Sequence, residues 1–404
     1  MEDRTMTITP DIQYIGVNDH DIDLFEGQYG VPYGMAYNSY VIFDEKIAVL
    51  DTVDKHFTDE WMGNLKKALD GKKPDYLIIH HMECDHTGSI AAFVKEFPET
   101  TLVATAKAFT MLQRFHPEFT HTDDQKIAVK EGDKLSLGKH ELTFIMAPMV
   151  HWPEVMFSYD ACDKVLFSAD AFGSFGANDL MPQDDDEEDG VKFPEKYCLR
   201  EARRYYIGIV GKYGPQVQAV LKKAANLDIE MICALHGCIK KGDLSEYLED
   251  YDIWSSYGVD DEGVLICYTT VYNHTEKAAF KLKEKLEAKG QEVRIYDLAR
   301  CEMSEAVADA FNYGKVVLAT TTYNADIFPF MKTYIDWLKE RNFQNRKIGF
   351  IENGSWAPAA ARIMKGLLDG TKNTFCENVV TLPSIMTAES EAQMDALVEE
   401  LLSD

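Results

Sequence analysis

The chain changes its hydrophobic rhythm once, near residue 260. Before that point the apolar runs are short and closely spaced. Tyr40-Val41-Ile42-Phe43 and Ile47-Ala48-Val49-Leu50 flank Asp44-Glu45-Lys46 as a hairpin, and Leu142-Thr143-Phe144-Ile145 and Val165-Leu166-Phe167 read as further strands. Helical stretches lie between them, at 58–69 and as one long helix from Leu199 to about Ala225, where Tyr205, Ile209 and Tyr213 recur at helical spacing. Strands and helices mixed in this way predict a two-sheet sandwich covered by helices.

From Gly263 onward the pattern becomes a regular alternation. Strands are expected at 264–268, 293–296, 316–319, 348–351 and 379–382, with helices at 274–288, 330–341 and 359–368 and a last one from Glu389. Five strands with interleaved helices predict a doubly wound parallel sheet. The polar stretch Gly258-Val259-Asp260-Asp261-Glu262 has no period, so the boundary is placed there, giving expected domains at 1–258 and 259–404. Two domains also suit 404 residues better than one core does.

Charge narrows the partners. With 68 acidic against 41 basic residues, a net charge of -27 repels phosphate backbones and anionic lipid, so nucleic acid and membrane surfaces are excluded as expected partners. The amino terminus has no basic-then-apolar leader pattern and no apolar run reaches spanning length, so a cytoplasmic protein is expected. Its eight cysteines form no C-x-x-C pair, which predicts reduced thiols and argues against zinc ribbons and a rubredoxin-type iron centre. The acidic run 184–189 lacks the mid-loop glycine and alternation of a calcium loop, and reads as a solvated loop.

The densest chemistry follows the apolar segment Tyr76-Leu77-Ile78-Ile79. His81-x-Glu83-x-Asp85-His86 offers four ligands in six residues, a spacing suited to a loop folding around two cations at the end of a strand. Cys84, inside the cluster, is expected as a small buried apolar residue, and His80 as a non-ligand that strand alternation turns away. Three more candidates each follow an apolar strand: His151 after Ile145-Met146-Ala147-Pro148, Asp170 after Val165-Leu166-Phe167-Ser168-Ala169, and His236 after Met231-Ile232-Cys233-Ala234-Leu235. One histidine or aspartate at a strand end is usually a hydrogen-bonding residue. The whole set is far more specific.

The set resembles the metallo-β-lactamase fold, an αββα sandwich whose members carry H-x-H-x-D-H, then His, Asp and His around two metals. Glu83 stands where hydrolases of that fold have histidine, and a carboxylate in place of a nitrogen moves the site from zinc toward iron. Joined to a flavodoxin-like second half, the chain resembles the flavodiiron proteins. That resemblance implies one iron on His81, Glu83 and His151, a second on Asp85, His86 and His236, and Asp170 as the bridge. It also implies Glu26 and Tyr205 as neighbours of the site, whereas Phe175 stands where some relatives carry a histidine.

The second half adds a loop, Thr269-Thr270-Val271-Tyr272-Asn273-His274-Thr275, that runs from a strand into a helix. Hydroxyls and N–H groups at a helix start receive a phosphate dianion, and the loop resembles the FMN phosphate loop of flavodoxins. Asn273 replaces the usual glycine, but asparagine tolerates a left-handed backbone. Thr320-Thr321-Thr322-Tyr323-Asn324 and Asn353-Gly354-Ser355-Trp356 follow the third and fourth strands, where Tyr323 and Trp356 would sandwich the isoalloxazine. No G-x-G-x-x-G follows a strand, so electrons are expected from another protein.

Two irons and FMN hydroquinone together supply the four electrons that reduce O2 to water; coupling two NO to N2O needs two. The expected function is therefore an oxygen reductase, a nitric oxide reductase, or both. The expected assembly has a rubredoxin-like donor in trans and a head-to-tail homodimer or homotetramer. Two alternatives stay open: a zinc hydrolase with a degenerate flavodoxin domain, and an FMN electron carrier with a vestigial metal site.

Overall fold

The computed structural model describes residues 6–117, 119, 121–179 and 195–403, so the acidic run 184–189 lies outside the described residues. The chain folds as two compact units, Met1–Asp252 and Ile253–Asp404.

The first unit is built on two sheets. One runs in the order Met6–Thr7, Ile12–Tyr14, Tyr40–Ile42, Ala48–Leu50, Tyr76–Ile78, Thr101–Thr105, Lys126–Val129. The other runs Lys134–Ser136, Glu141–Met146, Met156–Asp160, Val165–Phe167, Met231–Cys233, Lys240–Lys241. The expected hairpin forms with Tyr40 opposite Leu50 and Ile42 opposite Ala48. That register sends Tyr40, Ile42 and Leu50 to the same face, where they meet Phe144, Met156, Val165 and Phe167 of the second sheet in one core. Each such side chain contributes about 1.5–3 kcal/mol by leaving water. The core therefore holds the strand ends, from which the candidate ligands project, at fixed positions.

The single long helix expected at 199–225 is broken in the structure. A helix at Glu195–Tyr205 gives way to a π-helical turn at Tyr206–Val210 and a 3-10 turn at Gly211–Tyr213, and a second helix starts at Gly214. Pro215, in the first turn of that second helix, has no N–H to continue a helix from upstream. Tyr29 also docks here, its hydroxyl donating to the Gly208 carbonyl at 2.9 Å, and a Cβ on Gly208 would sit 3.1 Å from its ring. Helical spacing of the apolar residues survives such a break, which is why periodicity alone ran the two helices together.

In the second unit five strands, Asp261–Tyr268, Val293–Asp297, Tyr313–Tyr323, Lys347–Asn353 and Thr374–Leu382, pair in parallel in the order second, first, third, fourth, fifth. A helix at Met303–Asn312, absent from the sequence reading, joins the second and third strands. Every residue from Ala306 to Asn312 is buried, so this helix is held by packing along most of its length. Residues 253–258 pack with this unit. The buried Arg346 guanidinium donates to the Tyr257 carbonyl at 2.9 Å and the Gly258 carbonyl at 2.5 Å, and it also reaches the Phe311 carbonyl.

Candidate metal centre and flavin loops

The Tyr76–Ile78 strand delivers His81, Glu83 follows in extended conformation, and Cys84–Thr87 closes into one helical turn that carries Asp85 and His86. His80 points elsewhere: its N–H donates to Asp51 Oδ1 at 2.8 Å, and its ring lies 2.6 Å from Asp51 Oδ2 and 2.7 Å from Ser158 Oγ. Cys84 is exposed, which corrects the expectation that it is buried. It opens a turn whose inward side is taken by the buried His86. Asp170 lies in a tight turn after Val165–Phe167, next to Ala169 at φ 49°. His236 follows Met231–Cys233, and Gly237 after it adopts φ 71°.

The seven candidate side chains form two adjoining groups. Among the described residues, His81, Glu83, His151 and Asp170 bring one ligand atom each within 4.8 Å of one another, and Asp85, His86 and His236 do the same. In the first group, Glu83 Oε2 lies 3.2 Å from His81 Nε2 and 3.1 Å from His151 Nε2. In the second, Asp85 Oδ2 lies 3.4 Å from His86 Nε2 and 3.2 Å from His236 Nε2. Asp170 faces both. Its Oδ2 is 3.1 Å from His151 Nε2 and 3.6 Å from His81 Nε2, while its Oδ1 is 3.2 Å from His86 Nε2 and 3.8 Å from His236 Nε2.

The electrostatics ask for positive charge at this place. Burial opposes a proton on His81 and His151, yet the carboxylates of Asp170, Glu83 and, for His81, Glu154 outweigh it. His81 is held well above the usual imidazole pKa and His151 is raised to about 9. Burial would likewise raise Asp170, but the imidazoles of His86, His81 and His151 pull it well below the carboxylate range. Both Asp85 oxygens, both His86 ring nitrogens, Asp170 Oδ1 and His236 Nε2 are buried without a hydrogen-bond partner. Buried polar atoms are rarely left unpaired. Four imidazoles and three carboxylates with lone pairs aimed at common points fit a pair of cations, and an N/O set without thiolate suits iron. On the far side of the rings, Glu154 Oε1 lies 2.8 Å from His81 Nδ1 and the Ala36 carbonyl 2.8 Å from His236 Nδ1.

Around the two groups stand the other residues singled out in the sequence. Tyr205 has its ring 5.5 Å from that of His236 and a buried hydroxyl without a hydrogen-bond partner. Burial and then the charges of Asp170, Asp85 and Glu83 push its pKa well up. Phe175 meets Tyr205 edge-on at 5.2 Å, with the Arg204 guanidinium 4.3 Å above its own ring. Glu26 occupies a left-handed turn at φ 49°, its pKa raised by loss of water and by Glu83. A third cluster, His140, Cys162 and Asp163, is explained by hydrogen bonds, since His140 Nδ1 lies 2.9 Å from Asp160 and Nε2 3.4 Å from Asp11.

In the second unit the three loops leave the carboxyl ends of the first, third and fourth strands, beside the switch point of the sheet. Asn273 adopts φ 62°, the left-handed conformation expected of it, and the helix His274–Glu287 starts immediately after. Thr269 and Thr320 are buried with hydroxyls 2.6 Å apart, which ties the first loop to the third strand. The Thr270 hydroxyl is buried without a hydrogen-bond partner, while Val271 and Tyr272 are exposed. The third strand runs on through Thr321 and Thr322 to Tyr323, and the turn beyond it holds Asn324 at φ 52°. Thr275 Oγ1 accepts from Asn353 Nδ2 at 3.3 Å. Trp356 is 92% exposed and Tyr323 41%, the latter with Phe328 edge-to-face at 5.2 Å. A fourth loop, after the fifth strand, was missed: the Ser384 carbonyl accepts from Asn353 Nδ2 at 3.1 Å and its hydroxyl donates to Ser355 at 2.8 Å. Its lone polar signal, Pro383-Ser384, carries nothing to distinguish it from an ordinary turn.

Comparison with known proteins places these halves. Residues 35–237 match the ODP family beta lactamase and residues 266–390 match flavodoxin. The chain is 32% identical to a nitric oxide reductase of Moorella thermoacetica over 373 residues, covering 91% of this chain and 90% of that one. Rubredoxin:oxygen oxidoreductase from Desulfovibrio gigas superposes with a TM-score of 0.89 at 27% identity, covering 98% of each chain. The flavodiiron protein of Giardia intestinalis superposes at 0.90 with 25% identity, covering 99% of this chain and 96% of that one. A β-lactamase-type region is followed here by a flavodoxin region, the alignments run over at least 90% of this chain and of each of these proteins, and the chain belongs to the flavodiiron protein family.

Proposed function

We propose that this chain is a flavodiiron reductase of O2, NO or both, with His81, Glu83 and His151 holding one iron, Asp85, His86 and His236 the other, and Asp170 bridging them. The observation that carries the reading is the two-sided carboxylate: the Oδ2 of Asp170 serves one group and its Oδ1 the other. A pair of irons held there would supply two electrons and bind a diatomic gas. The residues do the rest. Three carboxylates would offset the charge of the cations, four neutral imidazoles would complete the donor set, and the buried hydroxyl of Tyr205, whose ring lies 5.5 Å from that of His236, would hold a proton near the site.

FMN belongs on the flavodoxin unit. Thr269 to Thr275 would receive its phosphate, Thr320 to Asn324 and Ser355 the polar edge of the ring, and Tyr323 and Trp356 its two faces. Electrons would come from a rubredoxin-like protein, as the name of the Desulfovibrio relative suggests. Tunnelling needs flavin and irons close together, and a head-to-tail homodimer, alone or doubled into a tetramer, would supply that. Among the described residues no helix is long and apolar enough to cross a membrane.

The test is anaerobic stopped-flow of the fully reduced, iron- and FMN-loaded protein against each gas, following flavin reoxidation. The reading expects rapid reoxidation by at least one gas and four electrons consumed per O2 without free peroxide. Slow reoxidation with stoichiometric peroxide would reduce the chain to a flavin electron carrier.

A further inference from the structure

The two metal groups share a bridge, but what stands behind them differs. Behind His81 is a carboxylate: Glu154 is buried, its Oε1 accepts from the His81 ring at 2.8 Å and from the Met82 N–H at 2.9 Å, and its Oε2 is buried without a hydrogen-bond partner. Behind His236 is only the neutral carbonyl of Ala36, and the Nδ1 of His86 has no hydrogen-bond partner. The main chain that carries Glu154 is anchored as well. Its own carbonyl accepts from the Thr105 hydroxyl at 3.1 Å, and that hydroxyl also caps the helix beginning at Ala106.

A buried carboxylate with two donors for four lone pairs is costly, and the cost is offset where a cation lies beyond its partner. A carboxylate can only accept, so the Nδ1 of His81 must carry the proton and the lone pair of Nε2 is left for a metal. The negative charge also makes that imidazole the more basic donor. We propose that Glu154 is a positioning residue that fixes the ligating tautomer of His81 and strengthens one of the two metal sites over the other. This rests on the seven-residue assignment above and adds to it an inequality between the sites. The same carboxylate ties His81 to the next backbone N–H, so ring and ligand loop are oriented by one group.

The test is anaerobic titration of the metal-free full-length chain with ferrous ion against a competing chelator, with Mössbauer spectra to distinguish the two environments. The wild-type chain should take up two ions. Glu154→Gln keeps size and one accepting oxygen but removes the charge, and it should weaken one site by about 10- to 100-fold while leaving the other within about twofold. Two wild-type affinities in Glu154→Gln would overturn the role of Glu154 and leave the seven-ligand reading intact. A wild-type chain that takes up fewer than two ions would overturn both. If Glu154→Gln does not fold, Glu154→Asp is read instead. Its carboxylate is withdrawn by one methylene, and the same single site must weaken; unchanged binding there would also refute the role. Packing alone would spare Glu154→Gln and penalise only Glu154→Asp.

Discussion

In the metal-free chain, His151 should make the first unit pH-sensitive in a defined direction. Its Nε2 lies 3.1 Å from Asp170 Oδ2 and 3.1 Å from Glu83 Oε2, and these partners raise its pKa from 6.5 to about 9 against the opposing effect of burial. A folded-state pKa above the unfolded value means the protonated form is favoured by folding. That stabilisation is complete below pH 6.5 and is lost as pH rises through about 9. At about 1.4 kcal/mol per pH unit, the whole effect is about 3 kcal/mol. The assay is urea unfolding of metal-free wild type and His151→Gln at pH 6 and pH 10. The stability gap between them should be about 3 kcal/mol larger at pH 6. Metal must displace the same proton, so loading the wild-type chain at pH 7.5 should acidify a weakly buffered solution. A gap that does not change with pH would refute the reasoning.

Asp170→Asn replaces the two-sided carboxylate by an amide with one accepting oxygen, and metal analysis should find fewer than two ions per chain. Asn273→Gly should leave FMN affinity within about threefold, whereas Asn273→Val, a branched residue forced to φ 62°, should cost about 1–2 kcal/mol and weaken FMN binding measured by fluorescence quenching. Gly237→Ala would place its Cβ 1.9 Å from Ser174 Oγ at φ 71°, lowering the melting temperature by an amount equivalent to about 1–3 kcal/mol, and Ser174→Gly in the same chain should recover part of it.

What the sequence made legible has a physical pattern. Ligands that follow strands were found because an apolar run ending in His, Asp or Glu is visible locally: His81, His151, Asp170 and His236 each come three to five residues beyond strands that the structure contains. Asn273 was legible because few residues accept a left-handed backbone, and it does adopt φ 62°. Glu154 was not, because its partner His81 is 73 positions away and nothing in His151-Trp152-Pro153-Glu154 distinguishes a buried carboxylate from a solvated one. The break after Tyr205 depends on Tyr29 packing against Gly208, again a long-range contact. Cys84 was misjudged because a cysteine's usual burial says nothing about which side of a one-turn helix faces the cluster. Local chemistry was readable, and side chains meeting across the fold were not.

The central claim is that one chain carries a carboxylate-bridged pair of irons together with a flavin. It is tested most directly by metal and flavin analysis of protein purified from iron-replete cells under anaerobic conditions. Two irons and one FMN per chain, with Mössbauer spectra showing coupled ferric ions after oxidation, is the predicted result. A colourless protein holding zinc at these seven side chains would contradict it.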